Sequence, residues 1–246
     1  MMQNIYILGN GTMAKALACG LRDRYNITIV GRDEAKLQHL KEQNFQTLHY
    51  SKLDIQDKNI ILAFKPYALK ELASLFKNQA RLLISVLANT SIEELQIIKA
   101  QNYARIMPNT AAKYKASSTP FVLKNSAFKD EIIDILNHFG TSYELNDEKL
   151  MNAATAISGC APAFLALVAE SIANAGVYEG LDKNLSLKLT QGLFQSFNAL
   201  FTNNHPAIIK EDICSPAGIT IKGVKILEEE GLRGTFFKAL HASANK

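Results

Sequence analysis

A chain of 246 residues holds one or two domains, and with 48% apolar and 20% charged side chains it can bury a large core. That composition excludes a disordered, collagen-like or disulfide-stapled protein. The 27 basic and 23 acidic residues leave a formal charge of +4, with basic residues clustered in no more than pairs and forming no basic face interleaved with aromatics, which speaks against nucleic acid and suits a phosphorylated small molecule.

Three cysteines (Cys19, Cys160, Cys214) lie far apart with no CxxC pair, as expected of free thiols in a reducing compartment. The N-terminus enters a strand without the basic and apolar regions of a signal peptide. The longest apolar run, 160–169, stops at Glu170, short of a bilayer's thickness. The expectation is a soluble, cytoplasmic protein with no membrane partner.

Apolar runs at 5–8, 27–30, 60–64, 82–87 and 104–107 read as strands. Helical spacing fills the intervals at 13–22, 34–44, 69–77 and 92–100, the last opened by a capping box of Ser91 and Glu94. This alternation predicts βαβ units in a mainly parallel sheet, covered on both faces. A strand at 118–124, a helix at 129–139 and a short strand at 142–145 close that domain. From Asp147 onward only helical patterns occur, broken at 159–162, 176–180, 203–206, 215–218 and Gly231. The expected organisation is an α/β Rossmann-type domain over 1–146 and an all-α domain over 147–246. Residues 161–175 are apolar around most of a helix and need burial nearly all round. About 100 residues of short helices cannot supply that, so the helical domain is expected to dimerise.

Gly9-Asn10-Gly11-Thr12-Met13-Ala14 follows the first strand and opens the first helix. It is a GxGxxA dinucleotide loop. Gly9 permits the tight turn, Gly11 lets a pyrophosphate approach, and the helix start, with Thr12 and Met13, offers N–H groups to the anion. A plain glycine turn between strand and helix would look similar in isolation. The second strand ends in Gly31-Arg32-Asp33, with Gly31 where a ribose-binding acid commonly sits. A guanidinium at Arg32 suits a 2′-phosphate, which favours NADPH and leaves NADH possible. The alternative is a solvated Arg32 beside an Asp33 that caps the next helix. Lys65-Pro66 and Met107-Pro108-Asn109 follow later strands, at the ends where open α/β sheets bind ligands. A loop cation and a strand stop would look the same there. The five histidines show no metal-ligand spacing, and no metal is expected. Cys160 has no nearby histidine and reads as a packed small residue.

The stretch Thr155-Ala156-Ile157-Ser158-Gly159-Cys160-Ala161-Pro162-Ala163-Phe164 resembles the TALSGSGPAY signature of pyrroline-5-carboxylate reductases. Ser215-Pro216-Ala217-Gly218-Ile219-Thr220 resembles that family's SPGGTT loop, and Leu227-Glu228 with Gly231-Leu232-Arg233 continues the pattern. Lys65-Pro66 matches its VKP, and Arg105-Ile106-Met107-Pro108-Asn109-Thr110 its RxMPNT. The resemblance implies reduction of 1-pyrroline-5-carboxylate, a cyclic imine carboxylate, to L-proline by NADPH or NADH, in homodimers or multiples of them. It also implies that Lys65 and Pro66 shape the cofactor cleft, that Asn109 lies near the nicotinamide, and that Ser158 lines the substrate side. Ser215, Ala217, Gly218 and Ile219 would hold the substrate carboxylate through backbone N–H groups, leaving the Thr220 hydroxyl, the expected catalytic residue, for the ring nitrogen. A serine N-cap with Pro at N1 would explain the same loop more plainly. Cys160 and Ala161 stand in place of Ser and Gly, Ala217 and Ile219 in place of Gly and Thr, and Asn89 in place of Gly. Two other readings compete. A β-hydroxyacid or ketopantoate-type reductase needs a catalytic lysine motif, which is not visible around Lys183, Lys188 or Lys222. A non-catalytic NADP sensor would keep the fold and lose turnover.

Overall fold

The computed structural model describes residues 2–245, which fall into two compact units parted between Gly159 and Cys160. The first unit carries one eight-stranded sheet in the order β3-β2-β1-β4-β5-β6-β7-β8. Its strands are β1 (Asn4–Leu8), β2 (Asn26–Gly31), β3 (Gln46–His49), β4 (Asn59–Leu62), β5 (Ala80–Ser85), β6 (Ala100–Ile106), β7 (Ser117–Leu123) and β8 (Gly140–Glu144). Every neighbouring pair is parallel except β6 with β7. The helices of this unit are α1 (Thr12–Leu21), α2 (Glu34–Glu42), α3 (Leu69–Ala73), α4 (Ile92–Leu95), α5 (Lys129–Asn137) and α6 (Met151–Thr155).

Strand alternation sends neighbouring side chains to opposite faces, so each central strand feeds two cores. Ile5, Ile7, Ile29, Ile84 and Ile106 pack with Leu17 and Leu21 of α1 and with Ile132, Ile135 and Leu136 of α5. Leu8, Val30, Leu62 and Leu83 pack on the other face with Leu69 and Leu72 of α3 and Leu95 of α4. The near-continuous apolar strands thus reflect burial on both sides.

Several local expectations change. β3 is an additional strand at the sheet edge, partly exposed, with no apolar run to announce it. α4 stops at Leu95 and the chain re-enters the sheet at Ala100, not as helix. The Tyr103 hydroxyl donates to the Ile98 carbonyl and accepts from the Ala100 amide, both at 2.9 Å, and so fixes that turn. The capping box forms, with Ser91 Oγ and the Glu94 carboxylate each bonded to the other's backbone amide.

The second unit contains α7 (Ala161–Tyr178), α8 (Lys183–Asn203), α9 (Pro206–Ile213), α10 (Ile219–Glu229) and α11 (Leu232–Ala244), with no strand among its described residues. The sheet ends at Glu144, close to the expected boundary at residue 146, whereas the compact units part thirteen residues beyond that boundary. The expected interruption at 159–162 is not one. Helical structure runs without a break from Glu148 to Tyr178, 31 residues, with a π-turn at Ala156–Cys160. By length and composition alone this stretch is long and apolar enough to cross a bilayer, longer than the apolar run that ends at Glu170. No residue of α7 is buried within the single chain, and Leu167 is 64% exposed. Among the described residues of this unit only Ser186, Thr190 and Ile209 are buried. The unit lacks a core of its own, as the apolar pattern of residues 161–175 anticipates.

Candidate functional site

The strand order places the ends of β2 and β4 on either side of β1. Gly9 continues the ladder by donating to the Val30 carbonyl at 2.8 Å, and Ala63 donates to that of Leu8 at 2.8 Å. Gly9 adopts φ +131°, and a Cβ there would collide with the Ala63 carbonyl. Only glycine fits this turn. Gly11 is the N-cap of α1, supplies no side-chain cap and has open space where a Cβ would stand. The first-turn amides, with those of Thr12 and Met13 among them, thus face an uncluttered glycine surface, as a pyrophosphate requires.

Beside this loop, Asp33 caps α2 by accepting from the Lys36 amide at 3.0 Å. That hydrogen bond holds its carboxyl below the usual carboxylate range. Asp33 is therefore occupied by the helix, and Arg32 is left free of that task. A Cβ on Gly31 would lie 2.9 Å from the Asn10 side-chain nitrogen, so an acid at this position would displace the glycine loop's own side chain. Arg32 is 65% exposed and pairs at 3.4 Å with Glu71 of α3. Register sets Gly31 opposite His49, so the overlooked strand β3 borders this corner. The Tyr50 hydroxyl that follows is held protonated by burial, against the opposing charge of Arg32. A depression of about 470 Å³ lined by Asn10, Lys15, Asp33, Lys36 and His39 lies here. A larger one, about 800 Å³, sits at the β7–β8 edge, away from the glycine loop.

Lys65 precedes the turn Pro66–Ala68 that follows β4, and Pro66 starts it where a missing N–H costs nothing. Gly9, Gly11, Arg32, Lys65 and Pro66 thus gather at the carboxyl ends of three adjacent strands. Asn109 follows β6, two strands beyond β4. Its side chain is committed on both sides. Oδ1 accepts from the Ala111 amide at 3.0 Å, and Nδ2 donates to the Ser158 carbonyl at 2.8 Å. Ser158 sits in the π-turn, a distortion that recurs at functional sites. Its buried hydroxyl has no partner among the described residues. A buried donor left unpaired is costly, so this hydroxyl is suited to a polar ligand atom.

In the second unit, the loop from Ser215 to Gly218 joins α9 to α10. The Gly218 amide donates to the Ser215 carbonyl at 3.0 Å, and Gly218 is the N-cap of α10, so Ser215 does not cap it. Ile219 and Thr220 are the first two helical residues, and Ile219 is 90% exposed. The first-turn amides lie beside the Thr220 hydroxyl, an arrangement able to receive a carboxylate and one further polar atom. Ala217 has φ +59° and Asn89 φ +51°, both in the left-handed region. Of the three positions where the family pattern carries Gly, these two therefore keep a glycine-like backbone, with Asn tolerating it better than Ala, whereas Ala161 lies in α7. Ala217→Gly is expected to stabilise the protein by about 0.5–1 kcal/mol, strain relief exceeding the added unfolded-state entropy. A melting temperature about 1–3 °C higher would register this, and a lower one would contradict it. The pattern from Leu227 to Arg233 has a structural explanation. Gly231, at φ +69°, opens α11, and Arg233 reaches back to grip Glu228 at 2.7–2.9 Å, which lowers that carboxyl's pKa.

Comparison with known proteins agrees with both halves. Residues 148–246 match the family described as "Pyrroline-5-carboxylate reductase dimerisation", and residues 4–89 match "NADP oxidoreductase coenzyme F420-dependent". A pyrroline-5-carboxylate reductase of Helicobacter pylori (strain J99) is 36% identical over 256 aligned residues, covering 100% of this chain and 99% of that one. Among solved structures, 1-pyrroline-5-carboxylate reductase from Streptococcus pyogenes is 28% identical with a TM-score of 0.86, covering 99% of this chain and 97% of that one. The Plasmodium falciparum pyrroline carboxylate reductase solved with NADP bound is 27% identical with a TM-score of 0.86, with the same coverage. Whole-length identity at this level, with the glycine loop and the Ser215–Thr220 turn both in place, makes the chain a member of the pyrroline-5-carboxylate reductase family.

Proposed function

We propose that this chain reduces 1-pyrroline-5-carboxylate to L-proline with NADPH, the last step of proline biosynthesis, as a soluble cytoplasmic homodimer or a multiple of it. The strongest support is the 36% identity to a pyrroline-5-carboxylate reductase along the whole chain. NADPH, when bound, supplies the hydride. The remaining work is binding and orientation, because a protonated cyclic imine is already electrophilic and needs no strong protein acid. Gly9, Gly11 and the first turn of α1 would take the pyrophosphate, Lys65 and Pro66 would border the cleft, and Arg32 would bind the 2′-phosphate. The amides around Gly218 and Ile219 would hold the substrate carboxylate while Thr220 Oγ1 meets the ring nitrogen. Asn109 would keep the π-turn in place, with Ser158 facing the substrate side. Mixing the purified protein with NADPH and pyrroline-5-carboxylate and following nicotinamide absorbance tests this reading. Absence of turnover with intact NADPH binding would favour a sensor instead.

Arg32→Ala is expected to weaken NADPH binding about tenfold or more, the loss of one charge-assisted contact of about 1.5–3 kcal/mol. NADH binding should hardly change. Titration of the two cofactors side by side measures this, and equal losses would show that Arg32 does not read the phosphate.

A further inference from the structure

Arg32 and Glu71 are 39 residues apart in sequence and stand on opposite flanks of the glycine loop. Arg32 follows β2, Glu71 lies on α3 beyond β4, and β1 with its loop runs between them. Their side chains nevertheless meet, Nη1 to Oε1 at 3.4 Å. The pair therefore spans the carboxyl-end crevice in which open α/β sheets bind dinucleotides. Neither residue has a structural task that explains the contact. Asp33, not Arg32, caps α2. Glu71 supports its own turn through its backbone carbonyl, which accepts from Ser74 Oγ, and that leaves the carboxylate for Arg32. With the side chains 65% and 64% exposed, an ion pair of this kind adds little to folding.

We propose that Glu71 is a specificity-determining residue that moderates the preference for a 2′-phosphorylated dinucleotide. Its carboxylate occupies guanidinium donors that a 2′-phosphate would use. A phosphate arriving at Arg32 must share those donors with Glu71 or displace it, and it meets a like charge in doing so. A dinucleotide with a free 2′-hydroxyl carries no charge at this point and incurs neither cost. Glu71 thus narrows the gap between NADPH and NADH without touching the reacting atoms. The proposal rests on the reading of Arg32 as the phosphate partner.

Glu71→Gln keeps the length of the side chain and removes its charge. NADPH should then bind about two- to fivefold more tightly, the size of an exposed ion pair, while NADH affinity stays the same. The gain should shrink as salt is raised. In the Arg32→Ala background most of the gain should vanish, because the cation it releases is gone. If Arg32→Ala weakens NADPH alone but Glu71→Gln leaves NADPH unchanged or weaker, the role of Glu71 is refuted and that of Arg32 stands. A full-sized gain without Arg32 also refutes it. If Arg32→Ala weakens both cofactors equally, the reading of Arg32 fails and the role of Glu71 falls with it.

Discussion

Thr220→Val should lower kcat/KM for pyrroline-5-carboxylate about 5- to 150-fold, the loss of one hydrogen bond worth about 1–3 kcal/mol in the transition state. The imine has two polar handles, a carboxylate and a ring nitrogen. The turn leading into α10 offers backbone amides for the first, and the hydroxyl of its second helical residue is the group at hand for the second. Valine keeps volume and β-branching. The N-cap is Gly218, so α10 keeps its start. NADPH affinity, subunit number and melting temperature should therefore match the wild type. Wild-type turnover by the valine variant would refute the assignment of Thr220.

A larger effect is expected from the assembly surface. The wild-type protein should sediment at low micromolar concentration as a dimer or a multiple of one. Leu167→Glu should break that assembly and abolish activity. Leu167 is 64% exposed on the single chain, within a helix that has no buried residue. Covering such a leucine contributes about 1.5–3 kcal/mol. Placing an unpaired carboxylate in the same position costs several kcal/mol more. In a two-fold assembly the substitution enters twice. A second copy of the chain accounts for the apolar stretch more simply than lipid does, because the matched family profile over these residues is itself one of dimerisation. An active, well-folded wild-type monomer would overturn this prediction.

Much of the first unit is legible from sequence because its strands are buried on both faces. Ile5, Ile7 and Leu8 have no exposed side to break the apolar run. Asp33 and Ser91 announce helix starts by the chemistry of the cap alone. β3 was missed because Gln46, Thr47, Leu48 and His49 form a partly exposed edge without strict alternation. The extension of α4 to Ala100 failed where a tertiary bond from the Tyr103 hydroxyl overrode helical spacing. Gly159 and Pro162 looked like a helix break, yet a π-turn accommodates the first, and the Ser158 carbonyl that Pro162 has no N–H to bond accepts from Asn109 Nδ2 instead. The glycine loop and the Ser215–Thr220 turn carry local signatures. Glu71 carries none, since only the strand order brings it to Arg32.

One short element shows how far local structure depends on distant residues. Helix α4 is only four residues long, below any length at which a helix holds itself together in water. Its first amide, at Ile92, donates at 2.9 Å to the Glu148 carboxylate, which is itself gripped at 3.0 Å by Arg105, a nearly buried residue of β6. A terminal turn would ordinarily fray independently of the rest. Here the fraying end is tethered through an ion pair to an inner strand of the sheet, so α4 is expected to open together with the strands as part of one cooperative folding unit.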